Sequence, residues 1–441
     1  MHPHAMPETL DQWLEHLEAL HPVGIDLGLE RVAQVAERMG LISSSVSTTA
    51  TSPVPSSIAP RVITVAGTNG KGSTLAMIEA VAAEHGLRVG SYTSPHLLRY
   101  NERVRLDGQE ADDALLCRGF EAVERARLQA PAISLTYFEA GTLCAFWCLA
   151  TAELDLAVLE VGLGGRLDAV NIVDADVAIV TTIALDHANF LGTDLAQIGR
   201  EKAGIFRAGK PAVLGSQALP GSVTEEALRL NAPCYALGEA FSRSDVSEDG
   251  WAWQGQDGHQ APLSLSALPD PGLPLDNAAT ALQALSLAGV ALDAAKTRQA
   301  LSKVMLAGRM QWLGQWCVDV GHNPHAATYL ATRLPDAPEG GQWWGLLGML
   351  NDKDADGVIA PLVARIPHWV CVSLDGERGR SAEELAARIT RLGGTVHHCA
   401  ASPEAGATWL APRLATHDRV LATGSFFTVA ALLAMPLPAS A

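Results

Sequence analysis

The sequence predicts an α/β protein of two domains, and three observations carry that prediction. An apolar run, Arg61 to Ala66, leads into Gly67-Thr68-Asn69-Gly70-Lys71-Gly72-Ser73 and then into Thr74 to His85, which has helical spacing and stops at Gly86. Further apolar runs, Leu156 to Glu160 and Val177 to Thr182, have the near-continuous pattern of buried parallel strands. Beyond Ala307-Gly308-Arg309-Met310-Gln311 the composition shifts and strand–helix alternation begins again. Residues 1–304 are therefore expected to form a P-loop ATPase-like domain on a mainly parallel sheet, and residues 305–441 a smaller open α/β, Rossmann-like domain.

The glycine loop sets the chemistry of the first domain. Its glycines let successive N–H groups turn toward an anion, and the helix that starts there adds its positive end. Lys71 and Ser73 suit phosphate and Mg²⁺. The spacing departs from the general P-loop pattern, because Gly72 separates Lys71 from Ser73 and Val65 stands where the first glycine would be. The strand–helix context favours a nucleotide-triphosphate loop of a particular family over a merely tight turn.

Composition narrows the partners. The 441 residues carry a formal charge of −17, which argues against a nucleic-acid partner, since phosphate-backbone binding needs a basic face. Seven cysteines without a CxxC pair do not form a disulfide framework, so a reducing cytoplasm is expected. Cys144 and Cys148, one helical turn apart in an apolar segment, read as packing. No basic-then-apolar leader pattern opens the chain. Ala140 to Ala152 is too short to span a bilayer, and the tail after Arg419 is broken by Gly424, Ser425, Pro436 and Pro438, so no membrane association is expected.

Along the chain, Thr9 to Leu20 reads as a helix capped at Thr9, and Asp26-Leu27-Gly28-Leu29 breaks the chain before a helix from Glu30 to Met39. Residues 43–60, rich in Ser, Thr, Pro and Ala, read as a flexible surface loop without function. A strand from Arg88 to Tyr92 runs into Thr93-Ser94-Pro95-His96-Leu97, where open α/β sheets bind ligands, although Ser94 and His96 read equally as loop residues satisfying backbone groups. Asp112 to Ala130 reads as a helix, and Leu135 to Glu139 leads into another. Glu160 closes a buried strand, where a carboxylate is costly unless paired or coordinated. Ile183 to His187 follows the next strand, so Glu160 and His187 are expected at the sheet edge that carries the glycine loop, placed for Mg²⁺. By spacing alone Lys202 is a helix lysine paired with Glu201. Asn231 to Ala267 looks like a β-rich excursion. In the second domain Cys317 to Val320, Trp344 to Met349, Trp369 to Leu374 and Val420 to Thr423 read as strands, each followed by polar or glycine residues.

Taken together the motifs resemble the bifunctional dihydrofolate synthase/folylpolyglutamate synthase family of Mur-ligase-like, ATP-dependent amide-forming enzymes. The residues concerned are GTNGKGS at Gly67–Ser73, SPHL at Ser94–Leu97, ERVR at Glu102–Arg105, LTYFE at Leu135–Glu139, EVGLGGRLDA at Glu160–Ala169, LDH at Leu185–His187 and REKAGI at Arg200–Ile205. Gly308-Arg309, DVGHNPHA at Asp319–Ala326, DKD at Asp352–Asp354 and TGSF at Thr423–Phe426 continue the series in the second domain. The set covers nearly the whole chain, and DLGL near the N-terminus with LTYFE favours the bifunctional form.

The resemblance implies that ATP phosphorylates a carboxylate of a pterin substrate and that the amine of L-glutamate attacks the acyl phosphate, on dihydropteroate and then on reduced folates. It places ATP on Thr68, Asn69, Gly70, Lys71, Gly72, Ser73, Asn277, Arg309 and Asp319. Two Mg²⁺ ions are implied, one touching Ser94 and Glu160, the other His187 and a carbamylated Lys202. Lys71, Lys202, Arg309 and His322 take the catalytic roles. The pterin contacts fall on Asp26, Leu27, Gly28, Leu29, Thr136, Tyr137, Phe138, Glu139, Leu167, Asp168 and Ala169, with Phe138 stacking on the pterin and Asp168 taking its N–H donors. A cytoplasmic monomer is expected, and ATP contacts on both sides of residues 290–308 imply hinge closure there. Gly321, where relatives often have alanine, is expected to be harmless, whereas Phe427, where a more polar ring is common, leaves local contacts open. The competing readings are a folylpolyglutamate synthase without the dihydropteroate step, or a non-catalytic nucleotide-binding regulatory module. The latter would need the loop but not Glu160, His187 and Lys202 together.

Overall fold

Val62–Ala66 (β1) is buried at all five positions and forms the centre of the N-terminal sheet. The computed structural model describes residues 6–42 and 58–436. The expected loop at 43–60 lies outside the described residues except for its last three. By its contacts the chain divides into two units: Met1–Ile183 with Leu191–Val304, and Ala184–Phe190 with Met305–Ala441. The sequence boundary at 304/305 assigns Ala184–Phe190 to the first of these.

In the first unit two helices, Leu10–Glu18 (α1) and Glu30–Met39 (α2), precede β1. Then come Lys71–Glu84 (α3), Val89–Tyr92 (β2), Val104–Leu106 (β3), Gln109–Glu110 (β4), Asp113–Arg127 (α4), Tyr137–Ala150 (α5) and Leu156–Glu160 (β5). Val177–Val180 (β6), Ala212–Leu214 (β7) and Cys234–Ala236 (β8) complete a sheet of order β4-β3-β2-β5-β1-β6-β7-β8. The strands from β2 to β8 in that order are parallel, and β3 and β4 add an antiparallel edge. β5 and β6 thus flank β1 on its two sides, which follows from their uninterrupted apolar runs, buried on both faces.

The sheet packs helices on both faces. α1, α2, α4 and α5 enclose one core, in which Trp13 is 1% exposed and stacks on Phe120. Cys144 and Cys148 are buried there as packing thiols. α3 packs against Leu275–Leu287 and Ala294–Lys303. The β-rich excursion is a three-stranded antiparallel sheet of Ser242–Arg243 (β9), Trp251–Gln256 (β10) and Pro262–Leu268 (β11).

The second unit holds Gln311–Leu313 (β12), Trp316–Val318 (β13), Trp343–Leu347 (β14), His368–Val372 (β15), Thr395–Ala400 (β16) and Arg419–Thr423 (β17), in the order β12-β13-β17-β14-β15-β16. All pairs are parallel except β12 with β13. The two edge strands, β12 and β16, carry mixed polar sequences, and their pattern alone does not mark them as strands. Among the described residues no helix is long and apolar enough to cross a membrane.

Trp369 anchors the core of the second unit. It is fully buried and its indole Nε1 donates to Ile366 O at 2.9 Å. Trp369→Ala leaves a large void and an unpaired carbonyl, so it is expected to cost ~3–5 kcal/mol. A lower urea midpoint for the C-terminal unit, with the other transition unchanged, is the measurement.

Candidate active site

The glycine loop between β1 and α3 is held from the side by the end of β6. Thr68 N donates to Thr182 O at 2.7 Å, and Asn69 N to Thr182 Oγ1 at 3.0 Å. The hydroxyl of Thr181 donates to Asn69 O at 2.7 Å. Gly67 has φ +154°, and a Cβ there would lie 1.8 Å from Thr181 Oγ1, so only glycine fits. Gly70, at φ +88°, is the N-cap of α3, which begins at Lys71, three residues earlier than its spacing predicts. The difference has a physical cause: Gly70 redirects the chain, and Lys71-Gly72-Ser73 form the first turn, whose N–H groups have no partner within the helix. Ser73 is buried, and Asn277 Nδ2 donates to its Oγ at 2.8 Å.

Two lysines converge on the carbonyl of Gly67. Lys71 Nζ donates to Gly67 O at 3.2 Å and lies 3.9 Å from Glu160 Oε1. Lys202 Nζ donates to the same carbonyl at 3.1 Å, and the residue is only 5% exposed. The expected pairing of Lys202 with Glu201 does not form. Glu201 instead binds Arg166 at 2.9 Å, because the helix Leu195–Ala203 turns Lys202 inward and Glu201 outward. Glu160, at the end of β5, is 6% exposed, and its Oε2 accepts the N–H of Ser94 at 3.3 Å. Ser94, Glu160 and Lys202 therefore belong to the first unit, around the loop. His187 does not share that unit: it lies seven residues past the end of β6, in the segment grouped with the second unit, with φ +51°.

The residues expected around the pterin are joined by one that sequence reasoning missed. Arg31 donates to Asp26 Oδ2 at 2.7 Å and to Glu139 Oε1 at 3.0 Å, tying the DLGL break to the start of α5. The arginine is part of the α2 pattern and nothing in its spacing separates it from an ordinary helix cation. Thr136 and Glu139 form a capping box on α5, with Glu139 Oε2 also accepting the N–H of Thr136 at 2.8 Å. Phe138 lies against Gly162 and near Tyr92, and Tyr137 and Leu167 are half-buried. Leu27 is exposed, and Gly28 and Leu29 are partly so. Asp168 is 2% exposed; its oxygens accept the N–H groups of Leu163 (2.8 Å) and Val170 (3.0 Å), the second opening the short helix that begins at Ala169. Burial pushes its carboxyl up to about 6, against the pull of those donors and of Lys71.

The second unit has its own polar cluster at the ends of its strands. Asp319, just past β13, is 7% exposed and accepts the N–H groups of Met310 (2.8 Å) and Gly321 (2.7 Å). Burial raises its carboxyl above the ordinary range, and Arg309 and those two N–H donors oppose the rise. The Arg309 guanidinium lies 5.2 Å from the ring centre of Phe426. His322 Nδ1 bonds Val320 O at 2.9 Å, which leaves Nε2 facing Asp186 Oδ2 at 3.2 Å. Lys353 Nζ meets the other oxygen of Asp186 at 2.5 Å, with both side chains over nine-tenths shielded. Burial alone would raise Asp186, but His322, His187 and Lys353 outweigh it and hold the carboxyl well below its usual range. Asp186 and Lys353 stand inside the LDH and DKD motifs, yet motif spacing gives no reason to pair residues 167 positions apart.

Residues 65–215 match the Mur ligase middle domain, and residues 308–426 match the glutamate ligase domain of Mur ligases. The dihydrofolate synthase/folylpolyglutamate synthase of Escherichia coli K12 is 43% identical over 424 residues, covering 96% of this chain and 94% of its own. The chain belongs to the dihydrofolate synthase/folylpolyglutamate synthase family. Solved members share its fold: E. coli FolC in complex with DHPP and ADP superposes with a TM-score of 0.88 at 42% identity, covering 98% of each chain. A bifunctional folylpolyglutamate synthase/dihydrofolate synthase with Mn, AMPPNP and L-glutamate bound gives 0.86 at 44% identity, covering 98% of this chain and 99% of the other.

Two positions, Gly321 and Phe427, are expected to depart from the family pattern. At Gly321 a Cβ would come within 2.9 Å of Asp319 Oδ1 and 3.1 Å of Leu330 Cδ1, so alanine there requires a small shift of the Asp319 carboxylate. Glycine is the easier fit in this chain. Phe427 is 63% exposed and takes no part in the core of its unit.

Two outcomes follow from the loop and from Asp168. Gly67→Ala is expected to abolish ADP binding in calorimetry, because its Cβ would meet Thr181 Oγ1 at 1.8 Å and a φ of +154° is closed to a side chain; unchanged binding would remove the constraint. Asp168 has a folded pKa raised from 3.8 to about 6, so the protonated form is preferred in the fold and its stabilising share is lost as pH rises through that interval. Asp168→Asn should flatten the pH dependence of unfolding between those values; an unchanged slope would place the titration elsewhere.

Proposed function

We propose that the protein is a cytoplasmic, monomeric ATP-dependent ligase that joins L-glutamate to 7,8-dihydropteroate and adds further glutamates to reduced folates. The observation that carries the proposal is the convergence of Lys71, Lys202 and Glu160 on the glycine loop, in a chain whose solved relatives bind ADP with DHPP, or AMPPNP with Mn and L-glutamate. A regulatory module has no use for a buried second lysine against a phosphate loop.

Residue roles follow from chemistry. The loop N–H groups of Gly70 to Ser73 and the ammonium of Lys71 would cradle the β- and γ-phosphates, with Asn277 fixing the Ser73 hydroxyl; Thr68 and Asn69, whose own N–H groups are held by Thr182, are assigned to the ATP site through their side chains. The pterin carboxylate attacks the γ-phosphoryl group in line and expels ADP, and the amine of L-glutamate, once deprotonated, then attacks the acyl carbon and expels inorganic phosphate. Arg309, a planar cation that keeps its charge, is assigned to the transferring phosphoryl group, and Asp319 orders the turn that presents it. His322, whose ring is oriented by Val320 O on Nδ1 and Asp186 on Nε2, is assigned to the glutamate side. Phe138 and Asp168 are assigned to the pterin, Asp168 through the lone pairs its backbone donors leave free.

The residues present also fit a divalent ion. Glu160 is a buried carboxylate beside the Ser94 backbone, a hard oxygen donor where phosphate oxygens would lie. We assign two Mg²⁺ ions, one to Ser94 and Glu160 and one to His187 and a carbamylated Lys202; bound ions would screen the phosphoryl oxygens. Carbamylation reconciles two lysines donating to one carbonyl. It replaces the second positive charge with a negative one and keeps an N–H for Gly67 O.

Phosphate release from ATP, measured with dihydropteroate, tetrahydrofolate or neither, each with and without L-glutamate, tests the reading. Glutamate-dependent release with both pterins is expected; release with tetrahydrofolate alone would select a folylpolyglutamate synthase, and none with either would reject ligation. Lys202→Ala should lower kcat by at least ~10–100-fold, the scale of losing a group that holds a metal in place, with partial recovery in formate or acetate. Full activity in that variant would remove the carbamate.

A further inference from the structure

We propose that the C-terminal unit carries a surface site for a borderline divalent cation of the Zn²⁺, Ni²⁺ or Cu²⁺ class, chelated by His368 Nδ1 and His397 Nε2. The two nitrogens lie 3.0 Å apart. Two imidazole nitrogens, each at the usual ~2.0–2.1 Å from one ion, are separated by about 2.9–3.4 Å for angles between square and tetrahedral. The spacing therefore already matches the bite, and binding requires the two rings to turn so that their lone pairs face the ion instead of each other.

Strand register explains how. His368 opens β15 and pairs with Thr395, and Trp369 pairs with Val396, but Val370 pairs with His398. His397 is the extra residue of a bulge on an edge strand, a feature that re-aims a side chain, and here it turns the imidazole to His368. The same irregularity sends His398 elsewhere, stacked on Trp409.

The far side of His368 is built for a ligand. Its Nε2 bonds the side-chain oxygen of Gln342, which only accepts, so the proton sits on Nε2 and the lone pair of Nδ1 points to His397. The Trp344 ring lies 5.0 and 4.9 Å from the two imidazoles, and its Nε1 donates to the buried Asp418 at 3.3 Å, so a π face and a carboxylate both favour a cation nearby. On binding, the proton held between the rings passes from His397 Nε2 to its Nδ1 through solvent, with no net release, and water completes the coordination sphere. Imidazole pairs suit these metals and not Mg²⁺. His368 opens its strand, whereas Asp319 and His322 follow the end of parallel β13, so this site sits at the opposite ends of the strands from the catalytic cluster.

Calorimetric titration of the full chain with Zn²⁺ in excess Mg²⁺, after stripping with chelator, tests the site. His397→Ala and His368→Ala are each expected to lose one binding event or weaken it at least ~10-fold, with Mg²⁺-dependent phosphate release unchanged in His397→Ala. His2 and His4 are common to parent and variants and cancel from the difference. Identical titrations for parent and His397→Ala, or no Zn²⁺ binding by the parent, would overturn the proposal.

Discussion

The hold of Thr181 and Thr182 on the glycine loop is the constraint on which this end of the first unit depends. In the proposed role the loop keeps the N–H groups of Gly70 to Ser73 for phosphate and cannot stabilise itself with them, so its shape has to be imposed from outside. Here the end of β6 supplies that support through Thr68 N, Asn69 N and Asn69 O, and the φ of Gly67 follows from how close Thr181 comes. The central position of β1 matters for the same reason: β5 and β6, parallel neighbours on its two sides, bring Glu160 and the two threonines to one strand end.

Charge is managed differently in the two units. Around the loop, Glu160 offsets Lys71, while Lys202 is turned inward by its helix onto a carbonyl. In the second unit a single carboxylate, Asp186, collects Lys353 and His322 and stays ionised despite its burial. A buried charge survives in each place because a specific partner compensates its lost hydration. The same logic gives Arg31 its place between Asp26 and Glu139.

Much of this was legible in the residues. The central strands β1 and β5 could be read because buried parallel strands are nearly continuous apolar runs, and α2 could be bounded because its apolar face and Gly40 cap mark both ends. The start of α3 was misread, because Lys71-Gly72-Ser73 has no helical signature of its own. Strands β12 and β16 were missed because edge strands, half-solvated, lose the apolar pattern. Lys202 was read as Glu201's partner because spacing along a helix states which residues are adjacent, not which face is buried.

What the sequence by itself determined is the alternation of strands and helices, the glycine loop and the family motifs, since these rest on local conformational preference and on short spacing. The tertiary structure decided which charges meet: Lys202 with Gly67, Arg31 with Asp26 and Glu139, Lys353 with Asp186, and His368 with His397 across a bulge. Those pairings depend on strand order and register, which bring together residues tens to hundreds of positions apart, and no local pattern in the chain encodes them.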